Sequence, residues 1–261
     1  MSSGSASTGS PGPSARAPVR IAMWSGPRNL STALMRSFEA RGDAFVTDEP
    51  LYAHYLAATG VAHPGAEEVI ATHDADWRRV VAWLTGPVPG DQPVWYQKHM
   101  THHLLVQIDR DWHGWLGGLA HAFLLRDPRD VIPSLDLKFA RPRLVDTGLP
   151  QQLELFELVR ARTGRVPPVI DSADLLRDPP GVLAALCAAL GIEFTSRMLS
   201  WPPGRRATDG VWAKHWYASV ERSTGFGGER KEHAPMPAEL EPLHRECRPL
   251  YEALHAHRLR A

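Results

Sequence analysis

Residues 19–38 constrain this chain more than any other stretch. They run from Val19 to Trp24, through Ser25-Gly-Pro-Arg-Asn-Leu-Ser-Thr32, and on to Phe38. The mostly apolar run 19–24, bounded by Ser25-Gly26-Pro27, predicts a buried central strand. Leu30, Leu34 and Phe38, with Ala33 and Met35 beside them, predict a helix with one apolar face. A strand, turn and helix in this order aim backbone N–H groups and the positive end of a helix dipole at one point. Arg28 adds a fixed positive charge, and Ser31 and Thr32 add hydroxyl donors, so the turn reads as an anion site. A nucleoside-triphosphate P-loop would read G-x-x-x-x-G-K-[ST]. Gly26 has no second glycine or lysine at that spacing, which argues against an ordinary kinase or GTPase.

The 261 residues suit one sizeable α/β domain over 19–261. Residues 1–18, rich in Ser, Gly, Pro and Ala and without an apolar core, are expected to be a disordered tail and not a signal peptide. Lys plus Arg equals Asp plus Glu at 29 each, which points away from nucleic acid while leaving room for a local basic pocket. No stretch approaches the roughly 20 apolar residues of a membrane helix, so no membrane partner is expected. The two cysteines, Cys187 and Cys247, sit in apolar helical patterns and read as buried thiols, not a disulfide or metal site. Together these features point to a cytoplasmic protein. Its oligomeric state cannot be read from them.

Further strands are expected at 44–46, 93–98, 121–125 and 168–171. Helices are expected over 66–84, from Leu104 onward, over 134–139, 151–162 and 182–190, and over about 237–258. Asp178-Pro179 reads as an N-cap with proline in the first helical position. Pro133 suits a helix capped by Asp130, where the missing N–H falls in the first turn. Strands alternating with helices predict a three-layer, P-loop-like α/β fold: a mostly parallel central sheet with helices on both faces. Ligands of such sheets sit at the carboxyl ends of the strands. Arg28 to Thr32, Asp48-Glu49, Lys98-His99 and Arg126 to Ser134 all fall there. Residues 201–228, aromatic and irregular, are expected to be loops covering a site.

Taken in order, these pieces resemble the P-loop sulfotransferases, particularly the carbohydrate-type and bacterial branches, which use 3′-phosphoadenosine 5′-phosphosulfate (PAPS). Ser25 to Thr32 is similar to the family's 5′-phosphosulfate loop, which implies that Arg28, Asn29, Ser31 and Thr32 hold that group; Leu30 stands where the family has glycine. Asp48-Glu-Pro-Leu-Tyr52 resembles a segment whose glutamate, here Glu49, is the proposed base. Leu125-Arg-Asp-Pro-Arg-Asp-Val-Ile-Pro-Ser134 resembles the 3′-phosphate motif, which assigns that phosphate to Arg126 and Ser134. Asp174-Leu-Leu-Arg-Asp-Pro179 resembles a structural element of the family.

The resemblance implies transfer of a sulfuryl group to a hydroxyl, or an amine, of a small molecule or sugar, with no metal required. Glu49 would take the acceptor proton, and Arg28 with Lys98 would neutralise charge on the departing phosphate. Lys98-His99-Met-Thr-His102 is also similar to a Lys-Thr-His segment of the hydroxysteroid-type branch. His99 and His102 therefore stand as alternative bases. Two rival readings are a phosphotransferase with a degenerate P-loop and a non-catalytic nucleotide-binding or scaffold protein.

Overall fold

The computed structural model describes residues 17–139, 141–227 and 235–260. The tail expected over 1–18 lies almost wholly outside the described residues. Five strands form one sheet: β1 (Val19–Ser25), β2 (Ala44–Asp48), β3 (Val94–Met100), β4 (Ala120–Leu125) and β5 (Val169–Asp171). Their order is β2-β3-β1-β4-β5 and every pairing is parallel. All five coincide with the apolar runs of the sequence, because strands covered on both faces need apolar side chains on both.

The first half of the chain adds α1 (Ser31–Ala40), α2 (Tyr52–Thr59), α3 (Ala66–Thr72), α4 (Trp77–Thr85) and α5 (Pro128–Asp136). The second half adds α6 (Leu149–Thr163), α7 (Ser172–Arg177), α8 (Pro179–Ala189), the short α9 (Ala213–Trp216) and α10 (Glu241–His255). Side-chain alternation along β1 splits the core in two. Ile21 and Met23 pack with Leu34, Met35 and Phe38 of α1 and with Leu183 and Leu186 of α8. Ala22 and Trp24 face the other way, toward Leu84 of α4, Phe156 of α6 and Leu254 of α10. A fully buried side chain of this size contributes about 1.5–3 kcal/mol, so both layers are needed to hold the sheet. A third, smaller cluster joins Tyr52 and Leu56 of α2 to Trp212 and Tyr217, roofing part of the sheet's carboxyl edge.

Several helix boundaries differ from the sequence expectation. The block 66–84 is two helices, because Asp76 caps α4 through Arg78 N and Asp74 accepts from Asp76 N. The stretch between Leu104 and β4 is not the expected α-helix; it is held by single bonds, such as Trp115 Nε1 to Asp109 O. α5 begins at Pro128 under an Asp127 cap (Asp127 Oδ1 to Arg129 N, 2.8 Å) and not under Asp130. Proline in the first helical position is pre-set for the helix, and the burial of Val131, Ile132 and Leu135 against the core holds α5 together despite the interior Pro133. α10 begins at Glu241, four residues past the expected start. The Asp178 cap of α8 is present as expected, accepting from Gly181 N. Both cysteines are buried and free. No described helix is long and apolar enough to cross a membrane.

Candidate active site

A cavity of about 710 Å³ opens at the carboxyl edge of the sheet. Its floor is the turn between β1 and α1. Arg28 (φ 63°) and Leu30 (φ 65°) both hold left-handed backbone, a conformation that costs a non-glycine residue about 1–2 kcal/mol. Leu30 occupies the N-cap position and offers no side-chain cap, and α1 has no acid in its first turn. The leading N–H groups of α1, at Ser31 and Thr32, therefore face the cavity without a protein acceptor supplied by the cap. Asn29 is buried beneath the loop, its amide oriented to donate to Pro27 O (3.0 Å) and accept from Gly26 N (3.2 Å). Gly26 is required by crowding: a Cβ there would stand 2.3 Å from the Thr147 carbonyl oxygen.

The turn after β4 meets this loop. Arg126 Nη1 donates to Arg28 O (3.0 Å), and Arg28 Nε donates to Ser134 Oγ of α5 (2.8 Å). The two motifs thus share one wall, with Arg28 bridging them. Burial, and then the neighbouring Arg126 charge, lower the proton affinity of Arg28. Arg28 has no carboxylate partner among the described residues, and Arg126 reaches Asp130 only at 3.5 Å. Two adjacent guanidinium groups at an open helix N-terminus form a site matched to a phosphate- or sulfate-like anion.

Beside it lies a buried ionic cluster. Register pairs Asp48 on β2 with Lys98 on β3. Lys98 Nζ donates to Asp48 Oδ1 (2.8 Å), Glu49 Oε1 (2.7 Å) and Tyr217 OH (2.7 Å), which uses all three of its N–H bonds. Burial opposes the Lys98 charge, but the two carboxylates outweigh it and hold the ammonium protonated. Burial, then Asp48, push the Tyr217 hydroxyl well up, so it stays protonated and donates to Asp48. Burial also raises Glu49, against the pull of Lys98. Glu49 has φ 40° and lines the cavity with its side chain 12% exposed.

The far end of the cavity is walled by rings. His103 lies between Tyr52 (centroids 4.8 Å apart, planes at 7°) and Tyr55 (4.7 Å, 30°). His63 packs on Phe139, and Phe139 stacks on Trp216. Burial pushes His63 down to about 4 and His102 down to about 3, and carries His103 well below its usual value, so these imidazoles are neutral near pH 7.

The family model described as "Sulfotransferase domain" matches residues 19–258. The chain belongs to the sulfotransferase family. Two Arabidopsis thaliana relatives, branched-chain-amino-acid aminotransferase-like proteins 1 and 2, are 36% and 34% identical over 240 and 237 residues. Those matches take in 92% and 91% of this chain but only 42% and 41% of the relatives, so the chain spans about two fifths of their length. Two solved structures share the fold. A sulfotransferase from Alicyclobacillus acidocaldarius has a TM-score of 0.54 at 14% identity, covering 94% of this chain and 98% of that one. The sulfotransferase domain from the curacin biosynthetic pathway has a TM-score of 0.50 at 16% identity, covering 89% and 98%. The parallel sheet expected from the sequence is thus the fold of a sulfotransferase domain.

Within this sulfotransferase domain Arg28, Asn29, Ser31, Thr32, Glu49, Lys98, His102 and Arg126 all line the one cavity, and Ser134 joins them through Arg28. His99 does not. β3 alternates, so His99 points to the face opposite Lys98, where it stacks on Trp24 at 4.4 Å and is 1% exposed. The structure sets His99 in the core, out of reach of a substrate in this cavity. Lys98 is in place, with its three N–H bonds directed at Asp48, Glu49 and Tyr217. Tyr217, Tyr55 and His63 were missed by sequence reasoning. Tyr52 and the aromatic 201–228 segment were the only signals that pointed toward this wall.

Proposed function

We propose that the protein moves a sulfuryl group from PAPS to a hydroxyl, or less readily an amine, of a small molecule or sugar, with Glu49 as the base. One observation carries the reading: two adjacent guanidinium groups at an open helix N-terminus share a cavity wall with a carboxylate of raised proton affinity. The cavity volume lies within the range of about 300–1,000 Å³ usual for ligand sites. The donor, when bound, supplies an activated sulfuryl group on a phosphate leaving group. Arg28 and the leading N–H groups of α1 would hold its 5′ end, and Arg126 with Ser134 its 3′-phosphate; Ser134 would exchange Arg28 for the phosphate. The acceptor oxygen forms a bond to sulfur as the sulfur–oxygen bond to the phosphate breaks, and the acceptor proton passes to Glu49. Lys98 orients that carboxylate through its hydrogen bond to Glu49 Oε1, and Tyr217, which accepts from Lys98 and donates to Asp48, holds Lys98 in place.

Thermal scanning with adenosine 3′,5′-bisphosphate, ATP and ATP–Mg²⁺ tests the donor. The bisphosphate should raise the melting point, adding about 2.7 kcal/mol at a hundredfold excess over its dissociation constant. Stabilisation by ATP–Mg²⁺ alone would replace this reading with a phosphotransferase. Glu49→Gln should keep bisphosphate binding and lose turnover. Bisphosphate binding with no turnover of PAPS against any acceptor fraction, and no consequence of Glu49→Gln, would leave a nucleotide-binding scaffold.

A further inference from the structure

We propose that Asp48 is a positioning residue of the site: it takes up Lys98 and the 209–217 segment from behind, which leaves Glu49 as the carboxylate of the pair that exchanges a proton with the cavity. The inference rests on the sulfuryl-transfer reading above, with Glu49 as its base. Three observations lead there. The first is the contrast between two neighbouring carboxylates that share one lysine. Asp48 Oδ1 accepts from Lys98 Nζ (2.8 Å), Asp48 Oδ2 accepts from Gly210 N (3.2 Å), and the Tyr217 hydroxyl lies 2.9 and 2.8 Å from the two oxygens. The Asp48 side chain is 2% exposed and does not line the cavity, whereas Glu49 does.

The second is the direction of the Tyr217 hydroxyl. Lys98 Nζ (2.7 Å) and Trp212 Nε1 (3.2 Å) both donate to it, and neither of those groups can accept. The Tyr217 proton therefore turns to a carboxylate, and both of its short carboxylate contacts are to Asp48. With both oxygens occupied, a proton arriving on Asp48 would set an O–H against one of these donors. A proton arriving on Glu49 has the cavity side of the carboxylate open to it.

The third is how the segment behind Asp48 is held. Arg36 of α1 is buried, and its Nη2 donates to Asp209 Oδ2 (2.6 Å), which also accepts from Arg206 N (2.8 Å). The next residue, Gly210, admits no side chain, since a Cβ there would stand 2.2 Å from the Trp212 ring. A turn fixed from α1, and not through Glu49, thus presents its N–H to Asp48. Charge completes the division. One buried ammonium faces two carboxylates, so a second negative charge is disfavoured unless a proton joins the cluster. Burial raises Glu49, Lys98 opposes that, and the Asp48 charge adds to the rise. The other groups around the pair are Tyr52 of α2, Arg28 and Arg126 on the cavity wall, and His73 near Asp48.

Infrared titration of the full chain in heavy water tests this. The carboxyl band lost in Glu49→Gln identifies Glu49, and its dependence on pH gives the protonation midpoint. In Asp48→Asn that midpoint should move to lower pH, with proton binding at Glu49 weakened about tenfold, because Glu49 then has Lys98 to itself. Tyr217→Phe removes a donor from Asp48, draws Lys98 toward it, and should move the midpoint to higher pH. A purely structural role for Asp48 would move neither midpoint. A cooperative urea transition reports folding of each variant, and if Asp48→Asn fails that control, Tyr217→Phe carries the test. A Glu49 midpoint unchanged in the folded variants, or a titrating band that survives Glu49→Gln and vanishes in Asp48→Asn, overturns the inference. Stabilisation by adenosine 3′,5′-bisphosphate without the midpoint shifts removes the role of Asp48 alone. The midpoint shifts without bisphosphate stabilisation remove the sulfuryl-donor reading and leave the division between the carboxylates standing.

Discussion

Acid should destabilise this fold through two histidines that have no part in the proposed chemistry. The Trp24 indole lies between His99, stacked at 4.4 Å, and His121, at 6.2 Å with planes at 12°. Trp24 Nε1 donates to His121 Nδ1 (3.0 Å), and the opposite nitrogen, Nε2, donates to Leu116 O (2.9 Å), so a proton on Nδ1 would set two donors against each other. Burial pushes His99 down to about 3, with the His121 charge adding to it, and pushes His121 down to about 4. An unfolded histidine titrates near 6.5. Below that value the unfolded chain binds protons that the folded chain refuses, so stability is full above about pH 7.5 and falls as pH drops through 6.5 toward the folded values. One pH unit below 6.5 each residue has withdrawn about 1.4 kcal/mol, about 2.8 kcal/mol for the pair. Urea unfolding at about pH 7.5 and about pH 5.5 measures this, comparing the wild type with the His99→Gln/His121→Gln double variant. The cavity histidines are common to both proteins and cancel in the comparison. The wild type should lose about 2.8 kcal/mol more than the variant over that interval. Equal losses would refute the burial argument.

Three more outcomes follow from the site. Lys98→Met leaves Asp48 and Glu49 buried without their cation and should cost about 3–5 kcal/mol in urea unfolding, with Asp48→Asn in the same chain restoring part of it. Arg126→Ala should weaken adenosine 3′,5′-bisphosphate about tenfold to hundredfold in calorimetry, the loss of a charge-assisted hydrogen bond, while stability without ligand falls by no more than about 1.5 kcal/mol, the worth of the bond from Nη1 to Arg28 O. Leu30→Gly should raise stability by up to about 1 kcal/mol, since it relieves left-handed backbone at a half-buried position; a loss larger than that would show that the leucine side chain, and not the backbone, holds the loop.

The sheet was legible because each strand needed apolar residues on both faces, and the anion turns were legible because they end those strands. Helix boundaries were less so. Asp127 and Asp130 are both plausible caps, and only proline's preference for the first position separates them. Across 66–84 the apolar spacing survives the break at His73 to Asp76, so periodicity alone does not reveal it. The parity of β3 was available: if Lys98 faces the cavity, His99 cannot, because neighbours in a strand alternate. Tyr217 was not available, since it meets Lys98 across 119 residues and sits in no motif.

Strain marks the same site without reference to any motif. Among the described residues five that are not glycine hold positive φ, and four of them, Arg28, Leu30, Glu49 and Arg141, line the cavity. Each such residue costs on the order of 1–3 kcal/mol and persists only where its surroundings over-determine it. Those surroundings can be named for the three at the sheet edge. Asn29 ties down the loop between Arg28 and Leu30, and Ser172 Oγ donates to Asn29 O (2.9 Å) from beyond β5. Glu49 N donates to Lys98 O (2.9 Å) while Lys98 Nζ holds Glu49 Oε1 (2.7 Å), so backbone and side chain of the proposed base are fixed by one residue. A chain selected for stability alone would place glycine at Leu30 and break the ionic cluster into apolar packing. Keeping both spends stability where two guanidinium groups, a helix N-terminus and a carboxylate must point at one volume, and that is the arrangement the proposed sulfuryl transfer requires.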